Sequence, residues 1–177
     1  MYPLRRLLLV CIGSLFSRSI PMDGVCKTRF RCMPWDLDMF MEMNNGRVLT
    51  LYDLGRFDLS IRSGLVHLLR KKRWGLAVAG SSVRYRKRIR FWDRVTMKTR
   101  VVGFEGRWIY IVQSMWVKGE AKSSILLRTA VTGKKGRAIN TQELLDAMGV
   151  SGWHPELPAW VKSWICSEDG RPWPPEV

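Results

Sequence analysis

WDLDMFMEMNNGR, residues 35–47, is the most informative segment of the chain, because it joins an acidic loop to the start of a helix. Three carboxylates, Asp36, Asp38 and Glu42, lie in the loop-like part, and two asparagines and a glycine follow. The first N–H groups of a helix lack intrahelical partners, so they stabilise a carbonyl oxygen as it becomes negative. A carboxylate beside such amides is the minimum equipment for hydrolysing an acyl ester or thioester.

A long helix follows the acidic loop. Asn44 or Asn45 supplies its N-cap, since an asparagine oxygen accepts a hydrogen bond from an N–H two or three residues on. Gly55 interrupts the pattern at a cost of about 1 kcal/mol relative to alanine, so we expect it to permit close approach to a sheet. The helix is expected to end at Ser63-Gly64, because glycine commonly follows the last residue of a helix. The apolar residues recur at helical spacing, as in a helix buried along much of its length; they are Val48, Leu51, Tyr52, Leu54, Phe57, Leu59 and Ile61.

Alternating patterns on both sides of this helix predict the strands of an antiparallel sheet. One strand precedes the acidic loop, over 25–33, and a short helix over 65–72 leads to the others. Turn sequences separate the later strands, which are expected over 76–85, 94–104, 108–117 and 124–132. A long central helix wrapped by a curved antiparallel sheet of about five strands is an α+β arrangement.

The chain divides into three parts: an apolar and basic segment over 1–22, the α+β domain over 23–140, and a C-terminal helix with a tail rich in tryptophan and proline over 141–177. Thr141 is expected to cap the C-terminal helix, over 142–148, and the tail to pack on the domain. The apolar run of the first segment is too short to span a bilayer. Two interpretations of it stay open: an interfacial helix held to anionic lipid by arginines, or a helix packed on its own domain or on a partner subunit.

Composition narrows the function classes. The formal net charge of +15 attracts polyanions. Nucleic acid, anionic lipid and the phosphates of coenzyme A are all candidate binding partners of this kind. Nucleic acid is the least favoured, because no recognisable binding motif accompanies the charge. The four cysteines form no Cys-x-x-Cys pair and the two histidines lie far from them in sequence, so no metal site is expected. Free thiols indicate a reducing compartment, and we expect a cytoplasmic protein, with membrane association as the alternative.

The segment Asp36-Leu37-Asp38 to Met43-Asn44-Asn45-Gly46-Arg47, followed by Leu49 and Tyr52-Asp53-Leu54-Gly55-Arg56, resembles the hotdog-fold acyl-CoA thioesterases. The likeness is greatest to the 4-hydroxybenzoyl-CoA thioesterase-like branch, and it continues through 82–87 and 92–95 to about Thr132. The resemblance implies a hotdog fold that forms a homodimer by joining two sheets edge to edge. It also implies active sites at the subunit interface.

Roles within the site follow from the same resemblance. Asp38 occupies the place of the catalytic carboxylate, as nucleophile or general base. The backbone N–H groups near Asn45, Gly46 and Arg47 form the oxyanion site. Asn44 and Asn45 are candidates for positioning the substrate, although N-capping accounts for one of them.

The chain departs from the family pattern at two positions. Many relatives carry Asp-x-Asn-x-His-Met-Asn-Asn, whereas Phe40 stands here for the asparagine and Glu42 for the histidine. Glu42 is therefore a second catalytic candidate, as a base or as a group that holds a water. Asp36 is expected to be structural and paired with an arginine, and Asp53 to pair with Arg56 three residues later.

The leading hypothesis is an acyl-CoA thioesterase that needs neither metal nor cofactor, with coenzyme A entering as part of the substrate. Its acyl chain would lie against Val48, Leu51 and Tyr52, and its phosphates against the cations Arg84, Arg86, Lys87 and Arg88. Homodimers, or tetramers built from them, are the expected assembly. The alternative is a non-catalytic hotdog protein that binds an acyl group, or a membrane through residues 1–20.

Overall fold

The structure is a computed structural model that describes residues 2–172 and 174–175. Trp173, one of the tail tryptophans, lies outside the described residues. The helices are α1 (Leu4–Leu15), α2 (Asn45–Arg62), α3 (Leu65–Lys72), α4 (Thr141–Met148) and α5 (Ala159–Asp169). The strands are β1 (Cys26–Arg31), β2 (Gly75–Tyr85), β3 (Arg94–Glu105), β4 (Trp108–Val117) and β5 (Glu120–Thr132).

The five strands form one antiparallel sheet in the order β1-β3-β4-β5-β2. The α2 helix packs on one face of this sheet, called the inner face below, and the main apolar core lies between them. Leu51, Tyr52 and Leu54 of α2 are 0% exposed, because the apolar stripe of the helix faces the sheet. The α+β arrangement of a long helix against a five-stranded antiparallel sheet is confirmed.

The last hairpin is tighter than the sequence predicts. The fifth strand was expected to begin at Ser124, but Val117 already pairs with Glu120. Lys118 and Gly119 between them have φ values of 50° and 82°, the left-handed backbone that a two-residue hairpin turn requires. A lysine rarely adopts positive φ, so a turn this short was hard to predict from the residue types.

Gly55 permits the close approach of α2 to the sheet, as expected. A Cβ at this position would lie 2.4 Å from Thr99 Oγ1, 2.8 Å from Gln113 Nε2 and 2.9 Å from Met97 Sδ. These neighbours have little freedom to move, because Gln113 Nε2 donates to the Tyr52 carbonyl and to Thr99 Oγ1, each at 2.9 Å. The absence of a side chain at position 55 therefore sets the distance between helix and sheet.

Gly55→Ala is expected to lower the free energy of unfolding by about 3 kcal/mol, since the methyl group overpacks the core and displaces buried hydrogen bonds. Gly13→Ala in α1 is the matched control, because no atom lies within 4 Å of the added methyl group. That control should gain up to about 1 kcal/mol from helix propensity. Urea denaturation measures both. If Gly55→Ala were as stable as the wild type, the sheet could move away from the helix at no cost.

The α1 helix packs on α2 through one face only. Ser14 Oγ donates to Asp58 Oδ1 at 2.8 Å, and Thr28 Oγ1 of β1 donates to Asp58 Oδ2 at 2.6 Å. The opposite face of α1 presents apolar side chains to solvent, among them Leu8 at 61% and Leu15 at 71% exposed. The helix thus rests on its own domain and still carries an unpaired apolar face. Among the described residues, no helix is both long and apolar enough to cross a bilayer.

The C-terminal part contains a helix that the sequence analysis missed. The α5 helix lies on the outer face of the sheet, where Val161 at 0% and Ile165 at 6% exposed join Val102, Tyr110 and Leu126 in a second apolar cluster. The N-cap of α4 also differs from the prediction. Asn140 Oδ1, and not Thr141, accepts the Gln142 N–H at 2.8 Å.

Candidate active site

The acidic loop folds back on itself just before α2. Leu37 pairs with Met43 through a β-bridge, and the Asp38 N–H donates to the Glu42 carbonyl at 2.9 Å. At the tip of the loop, Met41 has a φ of 57°. Phe40, which stands where relatives carry asparagine, is 70% exposed. The loop therefore holds its two candidate carboxylates across a tight turn.

Asp36 anchors this loop to the rest of the domain. Its carboxylate is 0% exposed and lies 2.8 Å from Arg6 of α1 and 2.9 Å from Arg47 of α2. Its Oδ2 also accepts the Met33 N–H at 2.9 Å. The expected pairing of Asp36 with arginine is confirmed, with two arginines where one was expected. Asp36 thereby ties the acidic loop to both helices.

Asp38 is half-buried at the start of the turn. Its Oδ1 accepts the Phe40 N–H at 2.9 Å, as aspartate commonly does in turns. Its Oδ2 makes no hydrogen bond or ion pair with any described residue. Asp38 does not line the cavity that Glu42 lines. One of its oxygens is nevertheless free to accept a proton or to attack a carbonyl carbon.

Glu42 lines a cavity of about 210 Å³ where α2 begins and β2 ends, called the Glu42 cavity below. Glu42 Oε2 lies 2.7 Å from Arg88 Nε, so an ion pair borders the cavity. Tyr85 lies on another side, where its hydroxyl donates to the Asn45 carbonyl at 3.3 Å. Partial burial raises the pKa of the Tyr85 phenol, which therefore remains a hydrogen-bond donor at neutral pH.

The amino end of α2 supplies the amides of the expected oxyanion site. Asn44 caps the helix, because its Oδ1 accepts the Arg47 N–H at 3.2 Å and its carbonyl accepts the Val48 N–H at 2.9 Å. The Arg47 N–H is occupied by the hydrogen bond to the Asn44 side chain. The other two N–H groups of the first turn, those of Asn45 and Gly46, take part in neither of these bonds. Only Asn45 also lines the Glu42 cavity; Asn44, Gly46 and Arg47 border a separate shallow hollow.

The three residues expected to hold the acyl chain are all buried, but they differ in their access to the cavity. Val48 lines the Glu42 cavity and is 3% exposed, whereas Leu51 and Tyr52 are 0% exposed within the core. The Tyr52 hydroxyl is 2.8 Å from Ser123 Oγ, and burial raises the pKa of this phenol well above its usual value. The structure thus places Val48 at the cavity wall and the other two behind it.

The structure brings together three of the four cations expected to hold phosphates. Arg86, Lys87 and Arg88 line the Glu42 cavity, whereas Arg84 lies on the outer face of the sheet beside a different cavity. Lys87, Arg88 and Arg90 of the loop after β2 also line an adjoining basic hollow, where Glu120 pairs with Lys87. The β4–β5 turn contributes Lys118 to this hollow, and β5 contributes Lys122. Sequence reasoning missed Arg90, Lys118 and Lys122, because only the fold brings this loop and the β4–β5 hairpin together.

A family model described as the thioesterase-like superfamily matches residues 32–165, which include the acidic loop, α2 and the whole of β2 to β5. This chain belongs to that superfamily. The hotdog fold predicted from the acidic loop and its helix is therefore confirmed. The match also includes most of α5, which the sequence analysis did not recognise.

Two sequence relatives carry the name Protein THEM6. The Drosophila melanogaster protein is 27% identical over 165 residues, covering 93% of this chain and 84% of the relative. The Xenopus laevis protein is 30% identical over 139 residues, covering 77% of this chain and 65% of the relative. The chain thus spans somewhat less than two thirds of the Xenopus protein.

Solved structures share the fold at low sequence identity. The probable thioesterase YbaW from Escherichia coli has a TM-score of 0.66 and 17% identity, covering 71% of this chain and 97% of that chain. The DHNA-CoA thioesterase from Staphylococcus aureus has a TM-score of 0.63 and 14% identity, covering 84% and 96%. The hypothetical protein SAV2348 from Staphylococcus aureus, solved in complex with CoA, has a TM-score of 0.64 and 9% identity, covering 82% and 96%.

Proposed function

We propose that this protein is an acyl-CoA thioesterase whose reaction takes place at the Glu42 cavity. The observation that carries the proposal is the position of the acidic loop. Glu42 of this loop lines a cavity bordered by three cations, and Asp38 lies across the same tight turn near the amino end of α2, in a chain of the thioesterase-like superfamily. A carboxylate suits the acid–base step of hydrolysis, and the helix amides suit the oxyanion. The cations suit the phosphates of an acyl-CoA.

Asp38 is the proposed reacting carboxylate, because its Oδ2 is free whereas Glu42 is paired with Arg88. As general base, Asp38 takes a proton from water while the water oxygen bonds to the thioester carbon. The carbonyl oxygen becomes negative and is stabilised by the Asn45 amide, the first-turn donor that lines the cavity. The carbon–sulfur bond then breaks, and Asp38 returns the proton to the departing thiolate. The products are a carboxylic acid and free coenzyme A.

The remaining contacts orient the two ends of the substrate. Val48 contacts the acyl chain next to the reacting carbon, with Leu51 and Tyr52 behind it. The phosphates extend over Lys87 and Arg88 into the basic hollow, where further cations contribute positive charge. Hydrolysis of a panel of acyl-CoAs by the purified protein, across chain lengths and including aryl substrates, tests the proposal. A negative result across the whole panel would refute it.

A homodimer joined through β2 is part of this proposal. The β2 strand has 11 residues, and among the described residues it pairs only with β5, so its other edge is open there. Most of its side chains are exposed. An open edge of this length invites pairing with another strand. Tyr85 ends β2 and lines the Glu42 cavity, so a second subunit on this edge would lie next to the site. Light scattering should give a mass about twice the 20.6 kDa of one chain. A mass about four times that of one chain would indicate a tetramer.

The exposed face of α1 supports a second candidate function, binding to a membrane surface without catalysis. An apolar helix face flanked by Arg5 and Arg18 suits the interface of an anionic bilayer. Replacing Leu8 and Leu15 together by Gln is expected to abolish sedimentation with anionic vesicles, and neutral vesicles should bind less. Leu49→Gln, at a half-exposed leucine on α2, is the matched control. Unchanged binding after the Leu8 and Leu15 substitutions would exclude α1 as the attachment.

A further inference from the structure

A second cavity lies on the outer face of the sheet, on the side opposite α2. Its volume is about 500 Å³, within the range of about 300–1,000 Å³ that small-molecule sites occupy. It is called the Trp160 cavity below, and its lining includes Ser82, Arg84, Ser124, Leu126, Trp160 and Trp164. The alternation of β2 directs Arg84 to this face and its neighbour Tyr85 to the Glu42 cavity.

Trp164 forms a fixed wall of the Trp160 cavity. Its ring packs edge to face against Tyr110, with centroids 6.5 Å apart, and the Arg128 guanidinium lies 5.7 Å from its centroid. Arg128 is itself held between Trp108, at 4.9 Å, and the Asp169 carboxylate, at 3.5 Å. These contacts hold the indole in place before any ligand binds.

Trp160 forms the exposed part of the same wall. It lies one turn before Trp164 on α5, so the two indoles are neighbours on one side of the helix, while Val161 and Ile165 anchor the helix to the sheet. Trp160 is 54% exposed. The protein thus presents one fixed and one uncovered indole above an apolar floor that includes Leu126.

The polar end of the Trp160 cavity has one positive charge. Arg84 makes no ion pair with any described residue, and it is the single cation among the described residues that line the cavity. Ser124 lies directly opposite Arg84 in the β2–β5 ladder, and Ser82 lies two residues before it. A guanidinium between two hydroxyls matches the planar, forked geometry of a carboxylate.

We propose that the Trp160 cavity binds a carboxylate carried on an apolar body, either an aliphatic chain or an aromatic ring. Arg84 pairs with the carboxylate, the serine hydroxyls donate to its oxygens, and the two indoles with Leu126 cover the apolar body. A terminal phosphate of a nucleotide suits the site less well, because its charge of about −1.5 to −2 exceeds what one guanidinium balances. This site is separate from the Glu42 cavity, and its occupation requires no hydrolysis.

Calorimetric titration of the full chain with decanoate and with 2-naphthoate tests the proposal and separates the aliphatic from the aromatic ligand. At least one of the two should bind saturably, with one molecule per chain. Decanol, which lacks the charge, and coenzyme A, which lacks the apolar body, should bind at least tenfold more weakly at this site. Binding by decanol as tight as by decanoate would overturn the proposal.

Substitutions at exposed positions locate the binding. Arg84→Met and Trp160→Ala are each expected to weaken carboxylate binding at least tenfold, whereas Arg84→Lys should retain part of it. Arg70→Met is the matched control, since this exposed arginine lies on α3 and does not line the cavity. Undiminished binding in both Arg84→Met and Trp160→Ala would place the carboxylate elsewhere. A change of oligomeric state in Trp160→Ala would assign this face to a second copy of the chain, and that too would overturn the proposal.

Discussion

Asp38→Asn is expected to lower kcat for acyl-CoA hydrolysis by about 10²–10⁴-fold, because an amide can neither take a proton from water nor attack a carbonyl carbon. The loop should keep its shape, since asparagine retains the oxygen that accepts the Phe40 N–H at 2.9 Å. KM should change little, because Asp38 is proposed to act on the attacking water and not to hold the acyl chain or the phosphates of the substrate. Steady-state kinetics with the best acyl-CoA of the panel measures both constants.

Two further amide substitutions make this result specific. Glu156→Gln changes a carboxylate whose side chain is 87% exposed near the start of α5, and it should leave kcat unchanged. Glu42→Gln should cost less than Asp38→Asn, because Glu42 is already neutralised by Arg88 at 2.7 Å. Full activity in Asp38→Asn would remove Asp38 from the mechanism. A larger loss in Glu42→Gln would assign the reaction to that residue instead.

The largest loss of stability is expected for Asp36→Ala, at about 3–5 kcal/mol, because removing one partner of a buried ion pair leaves the other charge uncompensated. Here Arg6 and Arg47 both lose this carboxylate, and their side chains are only 16% and 14% exposed. The Met33 N–H also loses its acceptor. Thermal and urea denaturation of the variant and the wild type measure the difference.

Asp23→Ala is the matched control for this substitution, because Asp23 is an exposed aspartate. Its effect should stay within about 0.5 kcal/mol. A loss in Asp36→Ala no larger than in Asp23→Ala would mean that solvent reaches both arginines and replaces the carboxylate. In that case Asp36 would not be the residue that holds the acidic loop to the two helices.

The elements that follow from local signals were predictable from the sequence. The α2 helix carries its own cap at Asn44, its apolar stripe and its stop at Gly64, and β4 alternates over its whole length, so both match the structure closely. The α5 helix carries no such signal. It follows a proline-rich stretch, and only Val161 and Ile165 of its residues are buried, too few to make a periodic pattern.

The residue types of the candidate site were predictable from the sequence. Which of these residues lie together in the folded chain was less predictable. Arg84 to Arg88 form one continuous basic run in the sequence. However, β2 ends at Tyr85, so Arg84 stays on the outer face while Arg86 to Arg88 follow the loop into the Glu42 cavity. The two arginines that hold Asp36 lie on different helices, so only the folded chain identifies them. Long-range pairing of this kind leaves no trace in residue spacing.

The open edge of β2 and the exposed face of α1 have a joint consequence. Two sheets that pair edge to edge in an antiparallel manner are related by a two-fold axis perpendicular to the sheet, so both inner faces point the same way. Each subunit bears α1 on that side, packed over α2, and the dimer would present two apolar helices to one bilayer. Attachment would then be bivalent, with an avidity well above that of a single helix. The two Trp160 cavities, on the outer face, would open away from the lipid.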